Sequence, residues 1–317
     1  MITRVPAARL SGNKRSWFAT VRRDFARHRG IYLMFVPVLV YFIVFHYYPL
    51  YGAQIAFKNY VPTRGIEGSK WVGFKHFVDF FEGVYFVRII RNTVLLSFLQ
   101  LLVGFPMPII LALMMNEVRN RAFKRTVQTV TYLPYFISLM VVCGLITDFA
   151  ASDGLFNDIA VLFGGERKSY LLYPEYYRRI HVLSGVWQHM GWNSIVYMAA
   201  LSAIDQTLYE AAVIDGAGRW KQTIHVTLPG IMPTIIIMFI MRMGAIMNVG
   251  FEKVILLYNS ATYETADVIS SFVYRMGLQE FSYSFSTAVG LFNSVINCLL
   301  LVGTNYIATR VNETSLF

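Results

Sequence analysis

Six runs of about 20 residues carry at most one formal charge each, and that is the length an α-helix needs to cross the hydrocarbon core of a bilayer. They cover residues 31–51, 93–115, 130–149, 180–200, 231–249 and 288–307. Lipid offers no hydrogen bonds to a backbone, so runs of this kind fold as helices. The expectation is an all-α integral membrane protein with six transmembrane helices and both termini on one side. Composition agrees: 56% of the 317 residues are hydrophobic and 15% charged, where a soluble domain carries about 25% charged residues.

The net charge of +10 means little until it is placed. Arg4, Arg9, Lys14, Arg15, Arg22, Arg23, Arg27 and Arg29 all precede the first run. Clustered there, they act as a positive-inside anchor and put both termini in the cytoplasm. Residues 1–29 then form a basic tail, 30–310 the membrane domain and 311–317 a short C-terminal tail. A nucleic-acid partner is excluded, because the cluster has neither interleaved aromatics nor a folded platform. No cleavable signal peptide is evident: the first apolar run is too long and lies too far in. Cys143 and Cys298 fall inside spans and read as small apolar residues.

Tyr47, Tyr48 and Tyr51 close the first span as an interfacial belt. The following loop carries Trp71, Phe74, Phe77, Phe80 and Phe81, which suggests helices lying on the membrane surface. Gly104-Phe105-Pro106-Met107-Pro108 interrupts the second span and predicts a kink, serving a gate or a packing bend. The fourth span is the most polar. Gln188, His189, Trp192 and Asn193 lie near its middle, so they are expected to face protein or a water-filled path. For His189 alone a hydrogen-bonded interior histidine is favoured over a ligand or a proton relay. Arg242 lies near the middle of the fifth span with Met238, Ala245 and Val249 on one helical face, and no carboxylate stands at matching depth. Its counter-charge is left to a partner chain, a carbonyl cluster or cargo; a structural contact with helix-end carbonyls is the alternative. Val268 to Tyr274 is apolar enough to re-enter the bilayer or lie on it.

Between the fourth and fifth spans, residues 205–229 are polar and helix-forming. Asp205 or Thr207 can cap a helix, and Thr207 with Glu210 has capping-box spacing. The helix runs through Leu208, Ala211, Ala212 and Ile214 to Gly216, where a residue without a β-carbon permits a left-handed turn. A second short helix carries Trp220, Ile224 and Val226 and ends at Pro229. Two short helices at an angle, charged through Glu210, Asp215, Arg219 and Lys221, make a knob projecting from a membrane domain.

Glu210-Ala211-Ala212, three residues, Gly216, nine residues, then Val226-x-Leu228-Pro229 resembles the EAA loop of binding-protein-dependent ABC importer permeases, with valine for the usual isoleucine. The resemblance runs from about Arg29 to about Val302. It includes Phe45-His46-Tyr47-Tyr48-Pro49, Ile55-Ala56-Phe57-Lys58, Leu133-Pro134-Tyr135-Phe136, Gly191-Trp192, Asp267-Val268-Ile269 and Tyr274-Arg275. These are similar to the polysaccharide-fragment branch of the carbohydrate-uptake permeases, in the subgroup of the larger permease subunit of alginate importers. The resemblance implies one peripheral helix plus a five-helix core in the bacterial inner membrane. It implies a heterodimer with a second homologous permease, a dimer of ATPase subunits and an extracytoplasmic solute-binding protein. It also implies ATPase coupling through Glu210, Ala211, Ala212, Asp215, Gly216, Ala217, Arg219, Leu228 and Pro229, and a cargo of oligosaccharides, uronates among them.

No catalytic or nucleotide-binding constellation is present in the sequence. Gly216-Ala217-Gly218-Arg219-Trp220-Lys221 is not a phosphate-binding loop, and there is no HExxH, CxxC or G-x-S-x-G. ATP and Mg²⁺ are therefore assigned to a partner ATPase, and no metal or cofactor to this chain. Two rival classes are a proton- or ion-coupled secondary carrier, which commonly uses intramembrane carboxylates, and a membrane enzyme acting on lipid-linked sugars, which needs a carboxylate cluster or metal near an interface. Neither set of residues is visible.

Overall fold

The computed structural model describes residues 27–312 together with Phe25 and Leu316; the basic tail expected over residues 1–29 lies mostly outside them. The chain divides into two compact units, residues 1–54 and 55–317. In the first, α1 (Arg29–Phe42) leads into a π turn, Ile43–Tyr47, and then 3₁₀ turns. None of its residues is buried. A helix apolar on every side and without a buried residue is suited to lipid.

The second unit opens with a departure from the all-helical expectation. β1 (Lys58–Val61) and β2 (Gly65–Trp71) pair antiparallel, Lys58 opposite Trp71 and Val61 opposite Gly65. Pro62 and Gly65, the latter at φ +67°, make the turn, because glycine alone adopts that φ freely. Phe57 stacks on Trp71 at 5.6 Å, and the Val61 N–H donates to Ser69 Oγ. The aromatic loop expected to form surface helices thus opens with a hairpin that takes Trp71, while Phe77, Phe80 and Phe81 lie on a helix as expected. Its one helix, α2 (Lys75–Phe81), buries Phe80 against Phe272, Phe285 and Phe292.

The expected kink at Gly104–Pro108 is a widened turn. α3 (Phe86–Leu99) passes through a π turn, Gln100–Gly104, into α4 (Pro106–Glu117). Pro106 has no N–H to return to the preceding turn, and the wider turn absorbs the missing bond. The third expected span is cut. α5 (Arg121–Tyr132) stops at a 3₁₀ turn containing Pro134, and Ser138 caps α6 (Leu139–Ala150), which α7 (Leu155–Leu162) follows.

The 29-residue α8 (Pro174–Ser202) is about 43 Å long and acts as the spine. It packs against α4, α5 and, beyond the knob, α11 (Leu228–Met243). Gly191 lies so close to the Thr131 backbone of α5 that a β-carbon there would collide with the Thr131 carbonyl, the close approach small residues allow between membrane helices. Between α8 and α11 lie α9 (Gln206–Ile214) and α10 (Arg219–Gln222). After α11 come α12 (Phe251–Leu257), α13 (Tyr263–Ala266), α14 (Ile269–Tyr274) and α15 (Tyr283–Asn312). Instead of lying on the bilayer, α14 buries Ile269 and Phe272 in a cluster with Phe80, Ile89 and Val289.

Among the described residues five stretches are long and apolar enough to cross a membrane: Arg29–Phe57, Phe86–Glu117, Leu139–Leu162, Arg219–Met243 and Tyr283–Arg310. The sixth expected span lies within α8, which is long enough but too polar. It buries His181, Gln188 and Ser194, and a helix surrounded by others can carry such groups where a lipid-facing one cannot.

Candidate functional site

At the C-terminal end of α8 the chain builds the knob. Asp205 is the cap, accepting the Thr207 N–H at 2.9 Å. Thr207 stands two residues inside the helix, so the Thr207–Glu210 capping box does not form. The Thr207 N–H, with its hydroxyl, holds the Asp205 carboxyl below the usual carboxylate range. α9 closes where expected. Gly216 takes φ +74°, the Ala217 N–H donates to the Ala212 carbonyl at 2.8 Å and the Gly216 N–H to that of Val213 at 3.0 Å. These paired bonds satisfy the helix-end carbonyls and require a residue tolerant of positive φ.

The second knob helix does not end at Pro229. α10 continues through a π turn, Thr223–Thr227, into α11, with Pro229 in its first turn. The arrangement repeats that ahead of Pro106: a wide turn precedes a proline that cannot donate. The knob is thereby continuous with a membrane-crossing helix. Tyr209 Oη and Thr227 Oγ1, 2.9 Å apart, and a 2.7 Å bond from Gln222 Nε2 to the Ala217 carbonyl brace its halves. Arg219 reaches Glu117 at the end of α4, 3.3 Å away. Glu210, Ala211, Asp215, Gly216, Arg219 and Pro229 are exposed, while Ala212, Ala217 and Leu228 are half-buried. Ile214 is 85% and Trp220 76% exposed. An apolar surface of this kind rimmed by charge marks an interaction site.

Midway along α8 lies a cavity of about 520 Å³. It draws His181, His189 and Asn193 from α8, Arg242 from α11, Gln100 from the π turn and Lys253 from α12. Three of the five residues expected on a substrate path line it: His189, Asn193 and Arg242. Gln188 and Trp192 do not. On a helix, residues four apart share a face, so 181, 185, 189 and 193 open on the cavity and 188 and 192 turn aside. Gln188 is buried in packing, and Trp192 stacks at 4.5 Å on Tyr135, itself a cavity residue. α11 ends at Met243, so Ala245 and Val249 do not share a helical face with Met238 and Arg242.

Within this chain Arg242 is held by a side-chain amide rather than by helix-end carbonyls. Its Nη2 donates to Gln100 Oε1 at 2.9 Å. With Oε1 engaged, Gln100 turns Nε2 to His181 Nε2, 2.9 Å away, and that same imidazole nitrogen lies 3.3 Å from the Val249 carbonyl. Lys253 is 7% exposed and donates to the His181 carbonyl at 3.0 Å. The cavity lining contains no Asp or Glu. Sequence reasoning missed Gln100, His181 and Lys253. The signal for Lys253 was a lysine running directly into Val254-Ile255-Leu256-Leu257, a cation entering an apolar helix.

At the opposite end of α8, Asp267 is fully buried and accepts Arg275 at 2.8 Å and Arg88 at 3.2 Å. Arg178 of α8 donates to Asn92 Oδ1, and Asn92 Nδ2 to the Asp267 carbonyl. No group of three potential metal ligands occurs among the described residues.

Comparison with known proteins places this architecture. The chain is 43% identical over 308 residues to the protein LplB of Bacillus subtilis (strain 168), covering 97% of this chain and 96% of that one. It is 42% identical over 292 residues to the polygalacturonan/rhamnogalacturonan transport system permease protein YteP of the same organism, covering 92% and 91%. Among solved structures it matches a chain of a bacterial ABC transporter involved in the import of the acidic polysaccharide alginate, with a TM-score of 0.86, 43% identity and coverage of 92% and 99%. A second match, also at TM-score 0.86, is a bacterial alginate ABC transporter in complex with an alginate pentasaccharide-bound periplasmic protein. Residues 104–313, from the wide turn of the second span through the knob to the last helix, fit the model of the binding-protein-dependent transport system inner membrane component, and the chain belongs to that family of ABC importer permeases.

Proposed function

We propose that this chain is one of two permease subunits of an importer that takes up uronate-containing oligosaccharides handed over by a solute-binding protein. A separate ATPase, holding ATP and Mg²⁺, drives it. The observation that carries the reading is the knob, an exposed and internally braced two-helix element joined without a break to α11, which bears Arg242 in the cavity. Displacing the knob must displace that helix. When the ATPase dimer closes, the knobs of the two permeases are drawn together and the cavity changes the side to which it opens; hydrolysis resets it. Glu210 pairs with a basic group of the ATPase, and Gly216 permits the turn that presents it. The knob end, and with it both termini, is cytoplasmic in this reading.

The cargo assignment draws support from a cavity with two cations and no acid, and from relatives named for acidic polymers. To test the whole, the complex is purified through this chain, and ATP hydrolysis is measured with and without binding protein loaded with alginate pentasaccharide. Stimulation is expected in the native complex. Gly216→Asp, which forces a branched acidic side chain into positive φ, is expected to abolish stimulation and to release the ATPase. Intact stimulation in that variant would end the coupling proposal, and uptake without any ATPase would favour a secondary carrier.

A further inference from the structure

We infer that Lys253 determines specificity for acidic cargo: with Arg242 it forms a two-point carboxylate site in the cavity, and Gln100 holds Arg242 while that site is empty. The inference rests on the importer reading above and deepens it. Lys253 lies in α12, well apart in sequence from the polar middle of α8, yet its ammonium is buried at the cavity wall and makes one bond, to the His181 carbonyl. An ammonium carries three donors. No acidic side chain pairs with Lys253 or Arg242 among the described residues. A buried cation without a counter-ion is unfavourable unless an anion visits.

Geometry ties the two cations together. Arg242 donates to Gln100, Gln100 turns Nε2 to His181, and the carbonyl of that same His181 accepts from Lys253. A guanidinium held by one neutral amide exchanges that partner readily for a carboxylate, which gives a stronger, charge-assisted bond. A lysine lining the same cavity offers a point charge to a second carboxylate without demanding one orientation. Successive uronates present one carboxylate per sugar, so the pair suits an oligomer of charged sugars. A neutral oligosaccharide of the same size has nothing for either cation.

The test uses the whole transporter in lipid vesicles, supplied with alginate pentasaccharide or with the same pentasaccharide after reduction of its carboxylates to alcohols. Transport is followed at saturating binding protein. Lys253→Met is expected to raise the KM for the acidic pentasaccharide about tenfold, the worth of one charge-assisted bond, and to leave the reduced one within about twofold, which such a bond is large enough to resolve. Lys253→Arg is expected to keep the native preference. Should the methionine variant fail to assemble, Lys253→Gln, which retains a donor for the His181 carbonyl but no charge, is expected to show the same loss. Equal loss for both cargoes, or none for either, would overturn the assignment. A native transporter that hydrolyses no ATP in response to either cargo would instead indict the importer reading itself.

Discussion

Two groups of cations sit along α8, and they are held in opposite ways. Near its N-terminal end Arg88 and Arg275 share the buried carboxylate of Asp267. In the middle, among the described residues, Arg242 and Lys253 have only an amide oxygen and a backbone carbonyl. The first group is complete within the chain and locks α3 to the segment around α14, with Thr93 Oγ1 accepting the Ile269 N–H beside it. The second is left short of negative charge. A cation whose counter-ion is built in serves the fold, and one whose counter-ion is missing beside a cavity serves a ligand.

The comparison breaks most visibly if Asp267 is removed. Asp267→Ala strands two arginines in a buried site and is expected to cost about 3–5 kcal/mol, read as a large drop in the unfolding temperature of the purified complex. A small drop would mean that the arginines find water or other partners and that the cluster is no lock. Next, Arg242→Met is expected to leave the unfolding temperature nearly unchanged while raising the KM for alginate pentasaccharide about tenfold, one charge-assisted bond. A loss of stability like that of Asp267→Ala would place Arg242 in the structural class.

A third kind of charge sharpens the contrast. Arg219 and Glu117 pair in the open, with side chains 57% and 46% exposed, so Arg219→Ala is expected to change stability by less than about 1 kcal/mol. The smallest effect concerns Asp205, whose carboxyl is held below its usual range by the Thr207 amide and hydroxyl. A carboxylate so depressed contributes its capping above the unfolded-state value and loses it as pH falls through the folded one. The amide protection factors in the first turn of α9, observed exchange corrected for the intrinsic rate at each pH, are therefore expected to fall on acidification below the ordinary aspartate range, and Asp205→Asn is expected to remove that dependence. An unchanged pH profile in the variant would assign the fraying to another group.

How far each region could be read from the chain follows the same division. The knob was legible because its determinants are local: Asp205 acts on Thr207, and Gly216 closes a turn whose partners lie within five residues. What misled there was proline. Pro229 resembles a helix end, yet the π turn before it carries the helix onward, and nothing in a hydropathy pattern distinguishes the two. The hairpin at residues 58–71 was missed because aromatic residues at a membrane surface suit a helix or a strand equally, and only the turn at Pro62–Gly65 decides. In the cavity, His189, Asn193 and Arg242 were visible as polar groups in apolar runs. Gln188 and Trp192 looked the same and proved to face elsewhere, since polarity marks the depth of a residue but not its side of the helix.

By itself the sequence determined the apolar runs, the knob and the family, because each is written in spacing over a few residues or a few turns. Only the tertiary structure decided what Arg242 touches. Its partner Gln100 lies 142 residues away, and Lys253 joins the same cavity from a separate short helix. Packing α8 against α4, α5 and α11 brings those groups to one wall. No local rule foretells such a meeting, since a contact between distant residues depends on how whole helices rotate about their axes to bury their faces.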